Sequence, residues 1–134
     1  MKILVIDGQG GKLGRALVEE ILKINSEADV ICAGTNSAAT SNMLKGGARA
    51  GATGENAVCV CAESADIIAG PIGIVMADSL MGEISARIAF TVAKSRAKKV
   101  LIPFNKCGAI IAGTEEAPLS ELLKKCAQAI VSLS

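Results

Sequence analysis

The first twenty-four residues constrain the fold more than any other stretch. Lys2-Ile3-Leu4-Val5-Ile6 is a short, mostly β-branched run that ends in Asp7-Gly8-Gln9-Gly10-Gly11. A run that is apolar throughout fits a strand buried on both faces, as in a parallel sheet. A helix is expected next, from Gly11 to Ile24. Leu13, Leu17, Ile21 and Ile24 recur at steps of three and four, while Arg15, Glu19, Glu20 and Lys23 fall on the other face. A strand, a glycine turn and a helix in that order begin a βα unit. The next parallel strand must then come after the crossover.

The rest of the chain follows that lead. Asp29–Gly34 reads as the second strand, and Thr35-Asn36-Ser37 caps a helix over Ala38–Lys45 that stops at Gly46-Gly47. From Gly46 to Gly54 the residues are almost all Gly and Ala, which predicts a close-packed loop. Glu55–Ser64 reads as a short helix with Thr53 as its N-cap, because too few residues remain before the next strand for it to be a strand itself. Asp66–Gly70 is the third expected strand. One or two helical turns over Ile74–Met81 close at Gly82, and Ser85 caps a helix over Ala86–Ala97. Lys99–Phe104 and Gly108–Ala112 are the fourth and fifth expected strands. Pro118 begins a final helix through Leu133, with Leu119, Leu122, Leu123, Cys126, Ile130 and Val131 inward. Glu115, Glu116 and Glu121 near its start suit the helix dipole. The expected fold is α/β: one Rossmann-like domain over residues 1–134, a three-layer, doubly wound, mainly parallel sheet of about five strands.

Composition removes whole chemistries. The 134 residues include no His, Tyr or Trp and only two Phe. Imidazole-based triads and histidine metal sites are therefore excluded. Stacking of exposed bases on Phe90 and Phe104 alone is a poor basis for nucleic-acid binding. The net charge of +1 gives no electrostatic footprint for nucleic acid or anionic membrane. The uncharged run Ile67–Ala77 is too short to span a bilayer and is broken by Pro and Gly. Five cysteines, an odd number, with no export signal visible, read as reduced thiols in a cytoplasm. Cys59 and Cys61 could be half of a metal or redox site, but small buried apolar residues are the simpler reading.

Ligands of doubly wound sheets bind outside the carboxyl ends of the strands. Glycines and small polar residues gather at those ends here: Gly8, Gly10, Gly11 and Gly14; Gly34-Thr35-Asn36; Gly70-Pro71-Ile72-Gly73; and Pro103-Phe104-Asn105-Lys106. Gly8, Gly11 and Gly14 form G-x-x-G-x-x-G between a strand and a helix, the setting a dinucleotide fingerprint requires. Gly8 would make the turn, Gly10 or Gly11 would let the backbone approach a phosphate, and Gly14 would let the helix lie close to the strand. The phosphate would rest on the helix N-terminus. The expected cofactor-binding residues are Asp7, Gly8, Gln9, Gly10, Gly11, Gly14, Gly34, Thr35, Asn36, Gly70, Pro71 and Gly73.

Two features depart from that fingerprint. Asp7 would repel a pyrophosphate unless a cation or hydroxyl intervened; alternatively it accepts hydrogen bonds from the loop's own N–H groups. The second strand ends without the acid that grips the ribose of NAD, so NAD(P) binding would favour NADP, with Arg49 or Lys45 pairing with the 2′-phosphate. A P-loop is ruled out, because Gly11-Lys12 is followed by Leu13. Thr53-Gly54-Glu55-Asn56 is either a ligand-contacting turn or a helix cap with Glu in its first turn. Candidate acids, bases and nucleophiles are limited to Asp7, Glu55, Asp78, Glu83, Lys106 and Cys107.

Several motifs together resemble a family of short bacterial proteins designated a domain of unknown function. They are Ile6-Asp7-Gly8-Gln9-Gly10-Gly11, Gly34-Thr35-Asn36, Ala52-Thr53-Gly54-Glu55-Asn56, Ala65-Asp66-Ile67-Ile68, Gly70-Pro71-Ile72-Gly73, Gly82-Glu83-Ile84, and Ile102-Pro103 with Asn105 and Cys107. The resemblance covers nearly the whole chain. It implies a stand-alone, Rossmann-like cytoplasmic protein and brings no reaction with it. More distantly, the first loop is similar to that of NAD(P)-binding domains. The expected function is binding of a phosphorylated nucleotide, NAD(P) first, at the glycine loop. The other readings are a non-catalytic nucleotide sensor or subunit, and a homo-oligomeric assembly protein with a vestigial loop that associates through Ile72–Met81.

Overall fold

The computed structural model of the chain describes residues 1–104, 108–114 and 117–134. The elements in chain order are β1 (Lys2–Asp7), α1 (Lys12–Ile24), β2 (Asp29–Gly34), α2 (Ser37–Lys45), β3 (Ala50–Thr53), α3 (Glu55–Ser64), β4 (Ile67–Pro71), a 3-10 turn (Ile72–Val75), α4 (Ala86–Lys94), β5 (Lys98–Ile102) and α5 (Leu119–Leu133). The five strands form one sheet in the order β3-β2-β1-β4-β5. All four pairings are parallel. The expected α/β fold with helices on both faces is the one found.

Alternation along β1 divides the core. Ile3 and Val5 join Leu17, Val18 and Ile21 of α1, Met43 of α2 and Leu123, Ala127 and Ile130 of α5 on one face. Leu4 and Ile6 join Val58 and Ala62 of α3 and Ile88 and Val92 of α4 on the other. A central strand covered on both faces has no polar face, which is why Ile3–Ile6 is apolar throughout. Ser85 caps α4 as expected, its hydroxyl accepting from the N–H of Ile88. Asn36 is the residue of Thr35-Asn36-Ser37 that caps α2, accepting from the N–H of Ala39.

Three expectations are corrected. The expected loop from Gly46 to Gly54 contains β3, which pairs with β2 from Ile31 opposite Ala50 to Gly34 opposite Thr53. Its small residues bury little, so backbone pairing and the Thr40 hydroxyl, which donates to the Ala52 carbonyl at 3.2 Å, hold it at the edge. No strand forms over Gly108–Ala112, where Ile110 is 81% exposed and no neighbouring strand accepts it. Thr53 does not cap α3. It ends β3 with its hydroxyl 2.7 Å from that of Thr40, and Gly54 stands at the cap position.

Candidate functional site

After β1 the chain order runs outward to β2 and β3, then returns to the other side of β1 for β4 and β5. The reversal lies between β1 and β4, the position where open α/β sheets bind ligands. A cleft of about 410 Å³ opens there. Its floor is Asp7, Gly8, Gln9, Gly10, Gly11 and Lys12, and Pro71 at the end of β4 borders it. Leu13, Ala16, Leu80, Phe104, Leu119 and Leu123 form an apolar wall.

The floor is held from beneath by Asp7. Its carboxylate accepts from the N–H of Gly8 at 2.8 Å and from the N–H of Gly14 at 2.7 Å. Of the two readings of Asp7, the hydrogen-bonding one describes this geometry. Burial pushes the Asp7 carboxyl up, against the two backbone donors, and the nearby Glu83 charge adds to the rise. Gly14, on the third residue of α1, leaves no room for a side chain: a Cβ would stand 2.8 Å from that of Asp7 and 2.6 Å from the sulfur of Met43. The helix therefore lies close to the strand, as expected of this glycine. Gly11 stands at the cap of α1 with φ 75°, where a side chain is disfavoured, and its N–H turns back to the Gly8 carbonyl. Among the described residues, the N–H groups of Gly10, Lys12 and Leu13 have no protein acceptor. They stand at the positive end of the α1 dipole, beside the exposed Lys12.

The β2 side of the same edge is built differently. Gly34, paired with Asp7, ends the strand. Above it, Glu83 Oε1 accepts from the N–H of Gln9 at 2.8 Å, the hydroxyl of Thr35 at 2.5 Å and Asn36 Nδ2 at 2.8 Å. Asn36 Nδ2 also reaches the Gln9 carbonyl at 3.0 Å. Burial pushes the Glu83 carboxyl up, but the bonds from Thr35, Gln9 and Asn36 together outweigh it and hold the group below its ordinary range. Glu83 ends a tightly wound segment after the 3-10 turn. Asp78, Leu80 and Met81 all take positive φ there, and the N–H of Asp78 meets the Ile84 carbonyl at 2.7 Å. Gly73 is buried behind this segment, and its carbonyl accepts from the Ser79 hydroxyl.

The expected site residues therefore divide. Asp7, Gly8, Gln9, Gly10, Gly11 and Pro71 line the cleft. Gly14 and Gly70 support it from α1 and β4, and Thr35 and Asn36 belong to the Glu83 cluster. Neither proposed partner of a 2′-phosphate stands near this edge. Arg49 pairs with Asp29, at the start of β2, at 2.7 Å, and Lys45 ends α2 at the same far edge. Glu55 is exposed and turned to Arg87 at 3.4 Å, and Asp78 is exposed on its loop. Lys106, Cys107 and Asn105 lie outside the described residues, as do Glu115 and Glu116. Cys59 and Cys61, two apart on α3, point in different directions, and Cys59 is buried. The apolar wall and the role of Glu83 were not foreseen. The inward stripe of α5 carried a signal for the wall, since Leu119 and Leu123 belong to it.

Fold and site thus define a Rossmann-like parallel α/β protein with a glycine-floored cleft at its topological switch point. The chain belongs to the family described as Domain of unknown function (DUF3842), whose model matches residues 2–134. No curated protein and no solved structure matches it. Among the described residues, no helix is long and apolar enough to cross a membrane.

Proposed function

We propose that the chain binds a phosphorylated nucleotide in the cleft, with a phosphate on the N-terminus of α1. One observation carries this reading: among the described residues, the N–H groups of Gly10, Lys12 and Leu13 have no protein acceptor, and these three residues line a 410 Å³ cleft at the switch point. A phosphate would accept from those groups, with the dipole and the Lys12 ammonium favouring its charge. The apolar wall would take the base or another flat ring. The loop's strand–helix setting makes NAD(P) the first nucleotide class to test. The preference for NADP has lost its two expected cations to the far edge. Titration with NAD, NADP and mononucleotides, followed through the backbone amide resonances of Gly8–Gly14, tests the reading. Shifts confined to that loop and to Phe104 are expected, and unchanged resonances would remove it.

A binder without turnover is favoured over an enzyme by the state of the carboxylates. Both Asp7 oxygens already accept N–H bonds, and Oε1 of Glu83 accepts from three donors. A nucleotide sensor or subunit in the cytoplasm fits that arrangement. Homo-oligomerisation through Ile72–Met81 has a narrower basis than its sequence suggests. Ile74 and Leu80 lie in the chain's own core, and Met81, 92% exposed, is left to make the contact. Sedimentation of Met81→Lys against the wild type tests it, with a shift toward monomer expected.

A further inference from the structure

We propose that Glu83 determines specificity: it closes the β2 half of the sheet edge, so the cleft takes a single nucleotide, a phosphomonoester bearing one flat ring, and refuses a dinucleotide. This rests on the phosphate-binding reading above and narrows it.

A dinucleotide lying across a switch point places one ribose over the tip of the second strand. Thr35 and Asn36, which follow that tip, hold the Glu83 carboxylate beside Gly8, and the space on the Cβ side of Gly8 is occupied. A single carbon added at Gly8 would stand 2.7 Å from the Thr35 hydroxyl, 2.9 Å from Glu83 Oε1 and 3.1 Å from Leu80 Cδ1. The obstruction is fixed by hydrogen bonds. Three donors from two separate elements converge on one carboxylate oxygen, and hydrogen bonds to a charged acceptor are the strong kind. The open side is sized for one nucleotide, since 410 Å³ is near the lower end of the roughly 300–1,000 Å³ usual for ligand pockets. Its character suits a phosphate joined to a ring: N–H donors and Lys12 at the floor, with Leu80, Phe104, Leu119 and Leu123 on the wall.

Calorimetric titration of the full chain decides the matter. The probes are AMP, nicotinamide mononucleotide, flavin mononucleotide, inorganic phosphate, NAD and NADP. At least one mononucleotide is expected to bind about tenfold more tightly than either dinucleotide and than inorganic phosphate. Glu83→Ala is expected to raise affinity for NAD by about tenfold while changing mononucleotide affinity less. If Glu83→Ala fails to fold, Glu83→Ser asks the same question, since it too removes the carboxylate from beside Gly8. A dinucleotide that binds the wild type as tightly as its own halves overturns this inference and leaves the phosphate site standing. So does a preference for mononucleotides that neither Glu83 variant relaxes. Inorganic phosphate binding as tightly as every mononucleotide removes the ring from the ligand and overturns the inference as well. If no probe binds, the phosphate-binding reading falls together with it.

Discussion

The two halves of the sheet's carboxyl edge start from the same materials and end differently. Both consist of strand tips rich in glycine and small polar residues. On the β2 side, donors from the Gln9 backbone, Thr35 and Asn36 find an acceptor within the chain, the Glu83 carboxylate, and the edge is sealed. On the β4 side, the N–H groups of Gly10, Lys12 and Leu13 find none among the described residues, and the edge stays open as a cleft. Glycine content alone does not make a binding edge. Whether the protein supplies its own anion does.

The largest disturbance is expected beneath the open half. Gly70 pairs with Leu101 of β5 at φ 157°, and a Cβ there would press on the backbone carbonyl of Ile6 in β1. Gly70→Ala should cost about 3 kcal/mol, since the β1 backbone at Ile6 has to move. A lower urea midpoint checks it, and an unchanged one would show that the two halves tolerate separation. Asp7→Ala should cost about 2 kcal/mol by leaving the N–H groups of Gly8 and Gly14 without their acceptor. It should also loosen the cleft floor, read as faster amide exchange over Gly8–Gly14. Glu83→Ala, on the more exposed half, should cost about 1 kcal/mol and quicken exchange at Gln9 instead.

Acid titration should separate the halves by sign. Burial raises the Asp7 carboxyl above its ordinary 3.8, so the folded chain keeps that proton longer than the unfolded chain. Its effect is a loss of stability as pH rises from 3.8 through the folded value. Glu83, held below its ordinary 4.5, contributes stability that is complete above 4.5 and lost as pH falls through the lower folded value. Urea midpoints of Asp7→Asn should fall less than those of wild type as pH rises above 3.8. Those of Glu83→Gln should fall less as pH drops below 4.5. Least affected is Arg49→Ala, which removes an exposed pair at the far edge and should cost under about 0.5 kcal/mol. The ratio of NADP to NAD affinity should not change. A loss specific to NADP would return Arg49 to the site.

What the sequence made legible follows from which interactions are local. The first strand, its glycine turn and the helix after it are encoded by adjacent residues, and the second strand's bounds, Asp29–Gly34, were readable to the residue. The caps act within three residues: Ser85 was readable, and the α2 cap was readable as far as Thr35-Asn36-Ser37, of which Asn36 is the one. Ala50–Thr53 was not, because a four-residue edge strand of Ala and Gly has no side-chain alternation to display. Ile110-Ile111-Ala112 misled for the opposite reason: it has the apolar pattern of a strand, like Ile67-Ile68-Ala69, but no neighbour to pair with. Glu83 appeared only as one unpaired acid among several. Its partners lie 47, 48 and 74 positions away, and no local pattern announces contacts of that range.

The placement of Phe104 has a practical optical consequence. It is one of two aromatic residues in a chain without Trp or Tyr, and it stands at the cleft wall while Phe90 lies on α4 on the opposite face of the sheet. Phe104→Trp would therefore install a lone fluorophore at the mouth of the cleft, in a protein otherwise dark at that wavelength. Its emission would report the entry of a ring against that wall directly, with no labelling and no background from elsewhere in the chain.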